Sequence, residues 1–386
     1  MNQIKERIAG IFKNYDHQGI HRTGTETDTE SAHWLAGEIQ SMGLTPNLTR
    51  FTMDRIDPVQ AGIQVEDRIC DGIPLFDCSY TDGHGITGHL GPVGSAAPIA
   101  VGELPPNWRL PEAQSFMEAR KRSVHGAMIA ICGGPRFGLP PGPALLNADH
   151  FDEPFGPPVI QIPSTAGPWL LGASASGIEG RLTAETKRTP VEVLNVEARI
   201  SGKHEGLAPV IVMTPRSGWF HCASERGGGI ACWLEMMRAI RAERPGRDVW
   251  FIATTGHELG HLGLKHFIEE HRELVKDALS WIHLGANFTA AIGGSVRFQA
   301  SDTEMETLGL QTMKDAGIAP DDRRPEGSRP FGEARDIFDG GGRYVSLLGD
   351  NGLFHHPEDR WPGSVDLDKA VRLTDAFTKI LIRLAN

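Results

Sequence analysis

The chain is short of several residues on which common functions depend. It has five cysteines in 386 residues (Cys70, Cys78, Cys132, Cys222 and Cys232), with no CxxC pair. An odd, unclustered set argues against a disulfide framework and against a thiolate zinc site. Basic residues are also few: 38 Lys and Arg stand against 49 Asp and Glu, a net charge of −11. A phosphate-tracking protein needs a basic face, so no nucleic-acid partner is expected. No apolar run reaches the roughly 18 residues of a membrane span, so no membrane partner is expected either. The opening MNQIKERIAGIFKNYD reads as an amphipathic helix and not as a signal peptide, and a cytoplasmic setting is the expectation.

What is abundant is as informative. Hydrophobic residues make up 40% of the chain, enough for a sizeable core. The length suits two domains, or one with a large insert. Sixteen histidines stand beside the five cysteines, so any bound metal falls to imidazole and carboxylate.

Texture divides the sequence in three. Residues 1–54 read as two helices and a strand, with Leu35, Ile39 and Met42 on one face and Gly43 as a C-cap. Residues 55–200 carry short apolar segments between Gly/Pro-rich loops, the pattern of a β-rich insert. Residues 201–386 alternate strand and helix: strands at 209–213, 248–255, 279–285 and 343–349, with helices between them and a closing helix through Val371, Phe377, Ile380 and Leu384. The fold class is therefore α/β, with a mainly parallel central sheet flanked by helices. Sites in such folds lie beyond the carboxyl ends of the strands.

Three constellations fall there. Gly256-His257-Glu258-Leu259-Gly260-His261 is an HExxH string opening a helix expected over 258–270. On a helix, His257 and His261 share a face and could hold one zinc with Glu258 as base. The alternative is a glycine-rich turn with incidental histidines. Phe354-His355-His356-Pro357-Glu358-Asp359 puts adjacent histidines before a Pro turn, placed to ligate metal or move protons. Thr214 to His221, then Glu225-Arg226-Gly227-Gly228-Gly229, lead into a helix whose glycines would let backbone approach an anionic ligand, or serve only as a flexible cap.

Taken in order, these segments resemble the di-zinc aminopeptidase family that includes leucyl aminopeptidases, glutamate carboxypeptidase and glutaminyl cyclase. The resemblance covers most of the chain: HRTGTETDTESAHWLAGEIQSMGL, PVIVMTPRSGW, ERGGGIACWLEMMRAI, DVWFIATTGHELGHLG, LSWIHLG and YVSLLGDNGLFHHPED. It implies a zinc-exopeptidase-like α/β domain from 1–54 and 201–386, and a protease-associated-like insert over 55–200. It also exposes departures. Where the family has His-x-Asp the chain has Thr214-Pro215-Arg216; where it has a bridging Asp, Glu225; where it has paired Glu, His257 and Glu258; where it has a ligand Asp, Gly285. His355 keeps the family's ligand position.

The resemblance thus leaves one metal set, Glu225, Glu258 and His355, with the second dismantled. Three readings follow. One is a mononuclear zinc hydrolase of amide, peptide or related C–N bonds, with His257 as base and Arg216, His221 and Arg226 toward a small-molecule or short-peptide substrate; Arg216 would grip a substrate carboxylate. Another is a site rebuilt from His221, His257, His261 and His283, whose chemistry extends to lyase or cyclase reactions. The last is a catalytically inactive binding module. The first is the expectation. Glu333 to Asp336 precede the last strand as unranked cleft candidates, and a homo-oligomer is compatible with all three readings.

Overall fold

The structure is a computed structural model that describes residues 2–386. In chain order its strands are β1 (Asn47–Val65), β2 (Arg68–Asp71), β3 (Ile73–Pro74), β4 (Ile86–Pro92), β5 (Ile99–Leu104), β6 (Ala127–Cys132), β7 (Val159–Pro163), β8 (Glu179–Ile200), β9 (Val210–Pro215), β10 (Val249–Thr254), β11 (Ser280–Leu284), β12 (Arg297–Ala300), β13 (Asp322–Arg323) and β14 (Tyr344–Leu348). The helices are α1 (Asn2–Gln18), α2 (Glu26–Ser41), α3 (Gln114–Lys121), α4 (Gly167–Ala175), α5 (Gly227–Glu243), α6 (Leu262–Glu270), α7 (Leu274–Asp277), α8 (Thr303–Asp315), α9 (Ala334–Asp339) and α10 (Leu367–Ala385).

One half of the sheet runs β13-β12-β14-β11-β9-β10-β8 and the other β4-β5-β6-β7-β3. The long strands β1 and β8 pair from Asn47↔Glu197 to Val65↔Gly180, forming a ribbon that spans both halves. The expectation of a mainly parallel sheet holds only in part. Seven strand pairings are parallel and six antiparallel. The parallel pairs among β9, β10, β11 and β14 belong to βα units, whose helical crossovers return the chain to the same end; β4/β5 and β6/β7 are parallel with no α-helix between them. The β1/β8 ribbon is antiparallel, and periodicity within one segment does not reveal its partner.

Each half has its own core. Around β9–β11 and β14, Val210, Val212, Phe251, Ile282 and Val345 pack with α1, α2, α5 and α10. Helix α5 is buried from Gly227 to Met237, including Trp233 and Met236, and only its last turns reach the surface. In the other half, Ile99, Ile129, Ile160 and Leu182 make a separate cluster. Among the described residues no helix is long and apolar enough to cross a membrane.

The carboxyl ends of β9, β10, β11 and β14 converge on one side, where loops 216–226, 255–261, 285–288 and 349–356 meet. Behind them, Asp302 caps α8: its carboxylate accepts from Met305 N–H at 3.0 Å and from Arg343 at 3.1 and 3.2 Å. Partial burial pushes this carboxyl up, but Arg343 and the Met305 N–H outweigh it and hold it down at about 2. The contribution is present above the ordinary carboxyl pKa and lost as pH falls through the folded value. Asp302→Asn should cost at most about 1 kcal/mol at pH 7, because the pair is partly exposed. That deficit should vanish as urea midpoints are followed from pH 4 toward pH 2; a deficit constant with pH would remove this assignment.

Candidate functional site

Two adjacent groups of side chains occupy the strand ends. The first is buried. Glu225 begins the turn into α5, Glu258 lies in the 3₁₀ turn His257–Leu259 after β10, and His355 lies beyond β14; they are 1%, 2% and 1% exposed. These are the three ligand positions the family resemblance leaves intact. Between the two carboxylates lies a cation that belongs to the chain. Arg226 Nη2 is 2.7 Å from Glu258 Oε1 and 3.0 Å from Glu225 Oε1. Its Nε–H donates to Ser217 O at 2.7 Å.

The surroundings tie this arginine down. Ser217 Oγ donates to Glu258 Oε2 at 2.8 Å and accepts from Gly256 N–H at 3.0 Å. Asp359 accepts from the backbone N–H groups of Ser224 and Glu225 at 2.8 and 2.9 Å, which aims the Glu225 turn. Burial would raise the Glu225 carboxyl, but Arg226 and His355 hold it at about 2. Burial would lower the Arg226 pKa, and the flanking Glu225 and Glu258 instead raise it. The residues at 144–148 close the group from above: His355 Nδ1–H donates to Leu145 O at 2.6 Å, and Ala148 N–H donates to Glu258 O at 2.8 Å.

The fit to a metal at this position is therefore poor. A guanidinium already supplies the positive charge that two buried carboxylates need, and an ion would have to displace it. Among the described residues no three His, Cys, Asp or Glu side chains are gathered closely enough to hold a metal.

The second group opens on solvent. His257, His261 and His283 line a cleft of about 670 Å³, within the usual range for small-molecule sites. Each has its Nδ1 engaged: His257 with Glu333 at 3.2 Å, His261 with Asp336 at 2.5 Å, His283 with Ser346 Oγ at 2.8 Å. The Asp336 carboxyl is pushed up by burial but held below its usual range by His261, so it accepts the His261 Nδ1–H and leaves Nε2 with a free lone pair. His283 Nε2 is buried and has no partner. Burial lowers the pKa of all three rings, that of His283 to about 3. They are neutral imidazoles near pH 7. Glu333, which accepts from Thr254 Oγ at 2.9 Å, is pushed up to about 8 by burial.

Gly285 explains part of this arrangement. It stands where the resemblance puts a ligand Asp, and a Cβ there would lie 2.7 Å from His283 Cε1. The space released by that side chain is filled by the His283 ring. Backbone strain also concentrates here: Cys222, His261, Asn287 and His355 have φ of 53°, 65°, 73° and 56°. Such conformations cost of order 1–3 kcal/mol each and cluster at functional sites.

Several expectations change. The helix expected over 258–270 starts only at Leu262, because Gly256, Gly260 and His261 are all left-handed. His257 and His261 therefore do not share a helix face; their rings stack 4.8 Å apart across a tight turn. Arg216 is wholly buried, with Nη1 on the Asp28 carboxylate at 2.8 Å and Nη2 on Leu194 O at 2.5 Å, so it is not available to a substrate. His221 is half-buried near Arg360 and Asp16, outside the cleft. Arg226 faces Glu225 and Glu258, not the cleft. The triple glycine serves packing: a Cβ at Gly228 would lie 2.5 Å from Thr289 Oγ1, and one at Gly227 2.7 Å from the Phe12 ring. Sequence reasoning did not single out Asp149 or Arg109, and it left Arg335 unranked among Glu333 to Asp336. Arg335 and Asp149 are 186 residues apart in the chain, and no local pattern joins them.

Comparison with known proteins identifies the fold. Peptidase family M28 matches residues 211–315. The aminopeptidase YwaD of Bacillus subtilis is 22% identical over 325 residues, covering 80% of this chain and 66% of that protein. Human transferrin receptor protein 2 is 26% identical over 193 residues, covering 46% of this chain and 23% of that protein. The chain thus spans slightly under two thirds of the first curated relative and about a quarter of the second. The solved structure of BSAP, a zinc aminopeptidase from Bacillus subtilis, superposes with a TM-score of 0.76 at 17% identity, covering 98% of this chain and 94% of that one. The chain shares the fold of the zinc aminopeptidases, and its residues 211–315 match peptidase family M28.

Removing the resident cation should be costly. Arg226→Met leaves Glu225 and Glu258 buried without a counter-charge, and breaking such a pair costs about 3–5 kcal/mol. Guanidinium chloride unfolding at pH 7 should show a loss of that size. A change below about 1 kcal/mol would mean that Arg226 does not hold the two carboxylates together.

Proposed function

We propose that this protein is a metal-dependent hydrolase of peptide or related amide bonds, and that its reaction centre is the histidine cleft and not the family's metal position. The observation that carries this reading is the set of three neutral imidazoles at the strand ends with Nδ1 fixed and Nε2 unengaged. Catalytic zinc sites fix their histidines in the same way, through a carboxylate or hydroxyl on the far nitrogen. The family relationship supports the reaction class, and the zinc named for BSAP supports the choice of metal. An ion there, most simply a single one, would supply an activated water. As they stand the three rings are not gathered closely enough to share an ion, and His257 and His261, stacked 4.8 Å apart, must separate to do so.

The chain's own groups have defined tasks in this proposal. Asp336 orients His261 and fixes its tautomer. Glu333, 3.2 Å from His257 Nδ1, fixes the orientation of that ring. The residues at 144–148, from what we propose is a protease-associated-like insert, keep water from the Arg226 cluster. A cytoplasmic setting is part of the same reading, since all five cysteines are free thiols. A non-catalytic binding module is the second reading, favoured by the arginine that fills the inherited metal position.

The test is metal analysis of untagged protein alongside hydrolysis of a panel of aminoacyl and N-acyl amides. About one equivalent of zinc is expected, kept in Glu225→Gln and lost with activity in His261→Ala and His283→Ala. Zinc lost in Glu225→Gln but kept in His261→Ala would return the reaction to the inherited position. No zinc and no turnover would leave the binding module.

A further inference from the structure

The cleft carries a charge opposite to that of the molecule. Its wall holds Arg109, Arg136, Arg297, Arg324 and Arg335 against Glu112, Asp149 and Asp350, five cations to three acids. The whole chain has 49 acids to 38 bases. The neutral histidines add nothing to this balance at pH 7.

The ion pairs show where the excess sits. Arg297 is answered by Asp322 and Asp350, and Arg136 by Glu103. Arg109 and Arg335 share the carboxylate of Asp149, and the Asp336 carboxylate beside His261 acts on both arginines without a hydrogen bond to either. Arg335 is 9% exposed and close enough to His257 and His261 for its charge to act on both rings. Arg324 has no carboxylate partner among the described residues. Its guanidinium carbon lies over the Phe331 ring, 3.7 Å from the centroid, and that of Arg297 approaches the same ring at 5.0 Å. A stacked, unpaired guanidinium presents its N–H edge to a ligand, the geometry that suits a carboxylate.

We infer that the cleft selects a substrate bearing a free carboxylate, gripped by Arg324 on Phe331 and by the Arg109–Arg335 pair beside the histidines. This rests on the proposed function in naming the same cleft, but it concerns binding alone. It moves the carboxylate-binding role expected of Arg216, which is spent on Asp28, to arginines on the open wall.

The test is calorimetric binding of three short peptides that differ at one residue, glutamate, glutamine or lysine, with inorganic phosphate as a separate ligand. The glutamate peptide should bind at least tenfold tighter than the other two. The preference should shrink at least tenfold in Arg324→Ala, whose side chain supports no ion pair of the fold, and in Arg335→Ala. Equal affinities, a preference that survives both substitutions, or tighter binding of phosphate than of the glutamate peptide would overturn the inference. Glutamate-selective binding without turnover would defeat the proposed hydrolase and leave this inference standing. Turnover without glutamate selectivity would do the reverse.

Discussion

The guanidinium of Arg226 between Glu225 and Glu258 is the contact on which the rest of the site depends. Two carboxylates buried at 1% and 2% exposure cannot both stay ionised without a cation near them. In the metal set that the family resemblance implies, that cation would be metal. Here it is a side chain on the first turn of α5, fixed by Ser217 O and by the Ser217–Glu258 hydrogen bond. A covalently attached cation cannot exchange a water for a substrate, so this position stabilises structure and is poorly suited to chemistry.

That substitution has a counterpart nearby. Beside the Arg226 group the strand ends leave an open cleft. Gly285 has no side chain where a ligand Asp would stand, and His283 fills the volume. Left-handed residues at 256, 260 and 261 fold the HExxH string into a tight turn that turns both its histidines into the cleft. Glu333 and Asp336, from the start of α9, then fix the far nitrogens. The two groups communicate through electrostatics, because Arg226 and Arg335 both depress the basicity of His257 after burial has done so.

Much of this was legible before the fold was known. The βα alternation after residue 200 announced strands whose carboxyl ends carry the site, and β9, β10, β11 and β14 lie where it put them. The departures at 214, 225, 257 and 285 were visible as residue types, and so were the ligand-capable side chains of Glu225, Glu258 and His355. The role of Arg226 was not. An arginine beside Glu225 looks the same in sequence whether it points to solvent or into the ion-pair core. Arg216 was misplaced for the same reason: nothing local reveals that Asp28, 188 residues earlier, receives it.

The amino-acid sequence alone determined the α/β class, the order of the site-bearing loops and the chemistry that any metal site must use, because these follow from local periodicity and composition. Only the tertiary structure decided which groups meet. Ion pairs such as Arg226 with Glu258, and pairs such as His261 with Asp336, join residues 32 and 75 positions apart. Whether they form depends on how the strands are ordered in the sheet and on the volume that glycines leave free. Those are properties of packing, and no spacing along the chain encodes them.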